Sequence, residues 1–333
     1  MGDIHDEIAK FAKAHNLPVE ETASQKKKER HMSKRKDTHY KGNQRRGGDD
    51  LPKRVLPLYA GLGRVDTSPR PLDPTANTGL LFDKFCDHWS GVPRWKADEP
   101  PKNEKAVKHQ FLDAIASHLE KNRGNITGLL SRYHGRQDRL VESLNGASCS
   151  FTSQWRFVSG IGMGHVLETG FVWHRILSVP YLPGSSVKGL IRAWADPKTD
   201  KQTGQHLGWG DPVKWEEEYK RLFGDEKDLG VGSLIVFDAL PVDVPQLEVD
   251  IMNPHYAPYY QAKTVPPADY HSPVPIFFLT IKEGAQFKFS LAPRPGSGTV
   301  SDVACGFNLL RGALENLGAG AKTAVGYGYM KMK

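Results

Sequence analysis

From residue 147 to the C-terminus, the apolar residues switch between the two-residue repeat of a strand and the longer repeat of a helix, and the order of those switches limits the possible folds. CSFTSQWRFVS (149–159) alternates and is rich in aromatic and β-branched residues, which marks a strand. A glycine-rich stretch, GIGMGHVLETG, leads through WHRILSVPYLPGSS into VKGLIRAWA, where Val187, Leu190, Ile191 and Trp194 have helical spacing. GSLIVFDAL (232–240) is a second strand, and PIFFLTI (275–281) and QFKFSLA (286–292) are expected to form a hairpin across Glu283-Gly284. FNLLRGALENL then reads as a helix and TAVGYGYMKM as a final strand. With the hairpin counted as one sheet element, we read the order as β, α, β, β, α, β.

That order predicts an α+β chain with a ferredoxin-like (RRM-like) core, in which two helices cover one face of an antiparallel sheet and leave the other open. An open sheet face is a platform for RNA, although the same topology serves proteins that never touch RNA. The core is expected over 147–333, with inserted loops at about 196–230 and 241–274. A mainly helical part precedes it over 51–146. There NTGLLFDKFCDHW reads as a helix capped by Asn77 or Thr78, with Leu81, Phe85 and Trp89 on one face. KAVKHQFLDAIASHLEK carries the stripe Val107, Phe111, Ile115 and Leu119.

The net charge of +7 is concentrated in one place. Residues 26–46 hold ten Lys or Arg against two acids, a local +8, so the rest of the chain sums to −1. With almost no apolar residues this segment, within an extension over 1–50, is expected to be disordered when free. It serves either as a solvated tail or as an arm lying on phosphates. Ile4, Ile8 and Phe11 hint at a short amphipathic turn before it. No apolar run is long enough to span a bilayer, and MGDIHDEIAKFAKAH resembles no secretory signal, so a cytoplasmic protein without membrane contact is expected. Cys86, Cys149 and Cys305 are far apart and imply neither a disulfide framework nor a metal site.

The ending GAGAKTAVGYGY raises the question of a nucleotide loop. A Walker loop is entered from a strand and leaves into a helix whose N-terminus faces the phosphates. Here the helix enters and the strand leaves, and Ala321, not glycine, precedes Lys322. Gly318 suits a helix C-cap. Gly320, Gly326 and Gly328 permit close approach of backbone N–H groups to a polyanion, with Lys322 and Thr323 adding a charge and a hydroxyl. In PYLPGSSVKGLIRAWA, Ser185 or Ser186 is a candidate helix cap, and Lys188 and Arg192 share a flank near that start. The stretch is either an anion site or an ordinary amphipathic helix.

Taken together, YLPGSSVKGLIR, LFGDE, DIMNPHYAPYYQ and the glycine loop resemble the RAMP superfamily of CRISPR proteins, over about residues 55–333. DIMNPHYAPYY in particular resembles the sixth RAMP subunit of Cmr (type III-B) effector complexes. The resemblance implies a non-catalytic, RNA-binding subunit near the 3′ end of a guide RNA that pairs with target RNA. It further implies contact with the backbone RAMP subunit, the other head-end RAMP subunit and the small helical subunit. Ser185, Ser186, Lys188, Arg192, Gly318, Gly320, Lys322, Thr323 and Gly326 are then the expected RNA contacts. His255, Tyr256, Tyr259 and Tyr260 form an aromatic cluster that either stacks on bases or a partner or pins an insertion to the core.

No catalytic set, metal site or cofactor is expected. His165, His174 and His255 are single candidates for a base in an alternative, a metal-independent RAMP-type endoribonuclease acting on repeat RNA. Asp238, Asp243 and Asp250 are too loosely spaced to diagnose a metal.

Overall fold

Asn77 starts the first helix as its side chain predicts: Oδ1 accepts from the Leu80 N–H at 3.0 Å, and α1 runs Thr78–Lys84. The computed structural model describes residues 75–86, 89–90, 96–97, 107–196, 212–225, 230–254, 266 and 275–332. The basic stretch 26–46, the turn at Ile4, Ile8 and Phe11, and the cluster of His255, Tyr256, Tyr259 and Tyr260 lie outside these. The helix α1 stops short of the expected Trp89. That residue pairs with Ala97 between β1 (Trp89–Ser90) and β2 (Lys96–Ala97), which requires extended backbone.

The helices α2 (Val107–Lys121) and α3 (Arg123–Ser143) follow. Phe111, Ile115 and Leu119, the expected stripe, are all buried, and each contributes about 2 kcal/mol by leaving water. Next come β3 (Ala147–Ser153), α4 (Gly184–Ala195), α5 (Pro212–Phe223), β4 (Leu234–Val236), β5 (Leu240–Pro241), β6 (Leu247–Met252), β7 (Ile276–Ile281) and β8 (Gln286–Pro293). The chain ends with α6 (Val300–Asn316), a 3-10 turn (Thr323–Val325) and β9 (Met330–Met332). The last helix starts at Val300, not at the expected Phe307, because Thr299 and Asp302 form a capping box ahead of the apolar run.

The main sheet has strand order β4-β8-β3-β9, with β5 also paired to β8, and every pairing is antiparallel. Phe287 and Phe289 of β8 lie opposite Phe151 and Cys149 of β3. Leu291 and Leu234 pack against Gly306 of α6, and Gly312 of the same helix lies against Trp194 of α4, so close packing at two glycines joins these layers.

Two expectations are corrected here. Residues 276–281 and 286–293 are strands, but among the described residues they do not form a hairpin: β7 pairs with β6 in a second sheet, while β8 is central in the first. The connection explains the divergence. Ser153 N–H donates to Ala285 O, Gly284 N–H donates to Ser153 O, and Ala285 N–H donates to Ser153 Oγ, so the end of β3 takes the groups a hairpin would pair. Of the two strands expected to pair as a hairpin, β7 thus belongs to a separate sheet, backed by α2. The sheet face opposite α4 and α6 is also not left open, since α3 packs on β3 and β8, with Asp138 paired to Lys288 and Val141 beside Gly146 and Ala292.

Candidate nucleic-acid interface

The glycine loop begins where α6 stops. Leu317 and Gly318 N–H groups both donate to Ala313 O; the C-cap is Leu317, and Gly318, expected at that position, follows it as the left-handed residue that ends the helix, at φ +73°. Beyond it the glycines do something other than expected. Gly320, at φ +81°, lies so close to the Val158 carbonyl that no side chain fits. Gly328, at φ +76°, abuts the Ala319 carbonyl in the same way. Ala319 N–H donates to Gly328 O, Ala321 N–H to Val158 O, and Gly328 N–H to Arg156 O, each at 2.8 Å. These glycines therefore fold the loop tightly on itself and on the segment after β3, rather than presenting a row of free donors.

The turn at Lys322 is different. Lys322 is left-handed at φ 59° and the residues after it turn right-handed, an alternation that directs successive N–H groups toward one side, as in anion-binding concavities. The Lys322 ammonium sits 4.8 Å from the Phe278 ring centre and 5.3 Å from that of Tyr327, so its charge is held at a defined place. Thr323 follows, half-buried, with its methyl near Gly318. Beside the loop lies a cleft of about 470 Å³, bounded by Gly160–Met163, by Ser186 and Leu190 of α4, and by Gly318 and Gly320. Two glycine-rich stretches far apart in sequence thus meet at the start of α4.

The structure divides the remaining expected contacts. Pro183 is the N-cap of α4 and offers no side-chain cap, while Ser185 and Ser186 are exposed within the first turn, so the serine caps are corrected. The cap comes from Asp238, whose carboxylate accepts from the Gly184 N–H at 2.6 Å. Lys188 donates to Leu234 O at 3.2 Å and is half-buried; burial, followed by the Arg294 and Arg192 charges, lowers its pKa. Arg192 donates to Tyr219 Oη at 2.8 Å and lies over that ring. These two cations tie α4 to β4 and α5.

A network absent from the sequence reading braces the loop. Arg156 pairs with Glu248 and, at 2.9 Å, with Asp250, both on β6, and the Tyr327 hydroxyl donates to the same Asp250 carboxylate. The hydrogen bond that Arg156 donates to Glu248 raises the Arg156 pKa, and burial together with the Asp250 contact pushes the Tyr327 phenol up to about 12. Arg156 also accepts from Gly328 through its carbonyl, so one residue links β6, β3 and the loop.

Two of the candidate bases, His165 and His174, are engaged elsewhere. His165 lies parallel to Phe82 at 4.3 Å; its Nδ1 accepts from Leu167 N–H, and Nε2 faces Phe82 O at 3.2 Å as the donor. His174 Nδ1 accepts from Leu177 N–H at 3.1 Å. Burial is the main cause lowering the pKa of both. Asp238 caps α4, Asp243 pairs with Arg123, and Asp250 joins Arg156, so the three acids serve three different places. No cluster suited to a metal is found among the described residues, nor any helix long and apolar enough to cross a membrane.

Residues 129–331, which include the sheet, α4, α6 and the glycine loop, match the family model "RAMP superfamily". The chain belongs to the RAMP superfamily. This RAMP chain is 34% identical over 248 residues to the CRISPR system Cmr subunit Cmr6 of Pyrococcus furiosus, covering 60% of this chain and 72% of that protein. Cmr6 of Saccharolobus solfataricus is 22% identical over 233 residues, covering 64% and 74%. A chain from the cryo-EM structure of the type III-B Cmr-beta complex bound to cognate target RNA superposes with TM-score 0.50 at 21% identity, over 71% of this chain and 78% of that one. The shared fold includes helix and sheet together, and the homology is to Cmr6.

Proposed function

We propose that this chain is the Cmr6-type subunit of a type III-B CRISPR ribonucleoprotein: a non-catalytic scaffold that holds guide RNA near its 3′ end while the guide pairs with target RNA in antiviral defence. The observation that carries the reading is the 34% identity to Cmr6 across 72% of that protein. Its partners are then guide and target RNA, the backbone RAMP subunit, the other head-end RAMP subunit and the small helical subunit, all in the cytoplasm.

The pairing order β4-β8-β3-β9, with α4 between β3 and β4 and α6 between β8 and β9, supports a ferredoxin-like βαββαβ core over 147–333. Insertions at about 196–230 and 241–274 contribute α5 and β6 to it, and 51–146 packs its helices around it. In this reading Gly318, Gly320, Lys322, Thr323 and Gly326, with Ser185 and Ser186, lie along the RNA backbone and read no sequence. Lys188 and Arg192 act by bracing α4. The hydrogen bonds already made by His165 and His174 support a structural role for both.

Binding of the full chain to single-stranded RNA at rising salt tests the interface. Lys322→Ala should weaken unrelated RNA sequences alike and reduce the slope of log K against log salt by about one. An unchanged slope removes the loop from the interface. RNA cleavage persisting in EDTA with a bell-shaped pH profile would replace the scaffold by a nuclease.

A further inference from the structure

Trp155 stands just after β3 with 37% of its surface exposed, although nothing in the packing of the sheet calls for an indole in water there. It is nevertheless held in place. Its ring meets Tyr327 edge-on, with centres 4.8 Å apart and planes at 60°. The Arg156 guanidinium lies 5.5 Å from the ring centre and is itself fixed by Glu248 and Asp250. Gly326, at φ +105°, brings the glycine loop against the indole: a Cβ there would touch only Trp155, at Cε3 (3.4 Å) and Cζ3 (3.6 Å). On the same tyrosine ring rests the Lys322 ammonium. One buried tyrosine thus carries both an ordered, exposed indole and the charge of the glycine loop.

We propose that Trp155 is a stacking platform for one unpaired base of the RNA whose backbone follows residues 318–326; the inference rests on the reading of that loop as an RNA contact. An aromatic face beside a cation is the pairing that binds single strands without sequence preference, because every base offers a π-face and every nucleotide a phosphate. Pre-ordering by Tyr327, Arg156 and Gly326 spares the entropy of fixing the side chain on binding. A duplex offers no such base, so the site selects unstacked RNA.

The test is fluorescence anisotropy of the full chain with a labelled single-stranded oligoribonucleotide. Trp155→Ala should lower affinity about 5- to 100-fold and Trp155→Phe should retain most of it. Neither should change the salt slope, since no charge is removed. With unmodified protein, an oligomer of abasic ribose-phosphate units of the same length should show a comparable loss, a readout that depends on no variant folding. If Trp155→Ala binds as tightly as the unmodified chain while Lys322→Ala still lowers the slope, the loop contacts RNA and the stacking proposal is wrong. If the unmodified chain does not bind RNA, the reading of the loop fails, and the stacking proposal with it. Equal affinity for abasic and native oligomers, or normal RNA binding by a Trp155→Ala chain that no longer co-purifies with RAMP subunits, would assign the indole to a protein contact instead.

Discussion

Replacing Gly320 by Ala separates the two reasons a glycine can be required. At φ +81° any Cβ costs about 1 kcal/mol or somewhat more for left-handed backbone. The added methyl would also overlap the Val158 carbonyl oxygen and reach within 2.7 Å of Phe157 Cε2. Neither can easily move: Val158 O accepts from Ala321 N–H, and Phe157 is fully buried against Phe287. Overpacking of this kind costs about 1–3 kcal/mol, so the sum is about 3 kcal/mol. Two control substitutions separate the terms. Gly284→Ala meets left-handed backbone, φ +79°, in open space and should cost about 1 kcal/mol. Gly164→Ala meets neither obstacle and should stay within about 0.5 kcal/mol of the unmodified chain. Urea unfolding of the three variants, compared at constant m-value, reads these differences directly. If Gly320→Ala is no more destabilising than Gly284→Ala, the close approach of the loop to Val158 is not what requires the glycine.

Tyr327→Phe should cost about 1–2 kcal/mol in urea unfolding by removing the donor to Asp250, which keeps Arg156 as a partner. Because folding raises the Tyr327 pKa from 10.0 to about 12, its stabilisation is complete below pH 10 and fades as pH rises toward 12. The variant should therefore show a flatter alkaline limb, and an unchanged limb would exclude the contact. Asp238→Ala should destabilise by about 1 kcal/mol through loss of the α4 cap at Gly184, whereas Ser185→Ala should be nearly neutral; the reverse order would reinstate the serine as cap. Asp302 is buried, which alone would raise its pKa, yet its bonds to Arg221 and the Thr299 backbone hold it below the ordinary 3.8. Its stabilisation is thus present above that value and lost as pH falls through the lower folded one, so Asp302→Asn should flatten the acid limb of the melting-temperature profile.

What was legible in the sequence was local. Phe111, Ile115 and Leu119, or Val187 and Ile191, declare a buried helical face by spacing alone, and Asn77 declares a cap by its amide. What was not legible depends on partners far along the chain. The hairpin expected at Glu283-Gly284 has suitable turn residues, but Ser153 diverts its hydrogen bonds. The serines in the first turn of α4 are good caps by type, but the Gly184 N–H is capped instead by Asp238, 54 residues beyond that glycine. Arg156 looks like one cation among many until the fold brings Glu248 and Asp250, 92 and 94 residues away, against it. The density of glycines marks the loop in the sequence, yet two of them, Gly320 and Gly328, answer to carbonyl contacts that only the tertiary structure supplies.

The most direct test of the account is purification of the tagged full chain from its native host, with co-purifying proteins identified by mass and bound RNA sized and sequenced. The account predicts a set of RAMP-family partners and guide RNAs of a few discrete lengths. A solitary chain carrying no RNA, or carrying freshly cut repeat fragments, would contradict it.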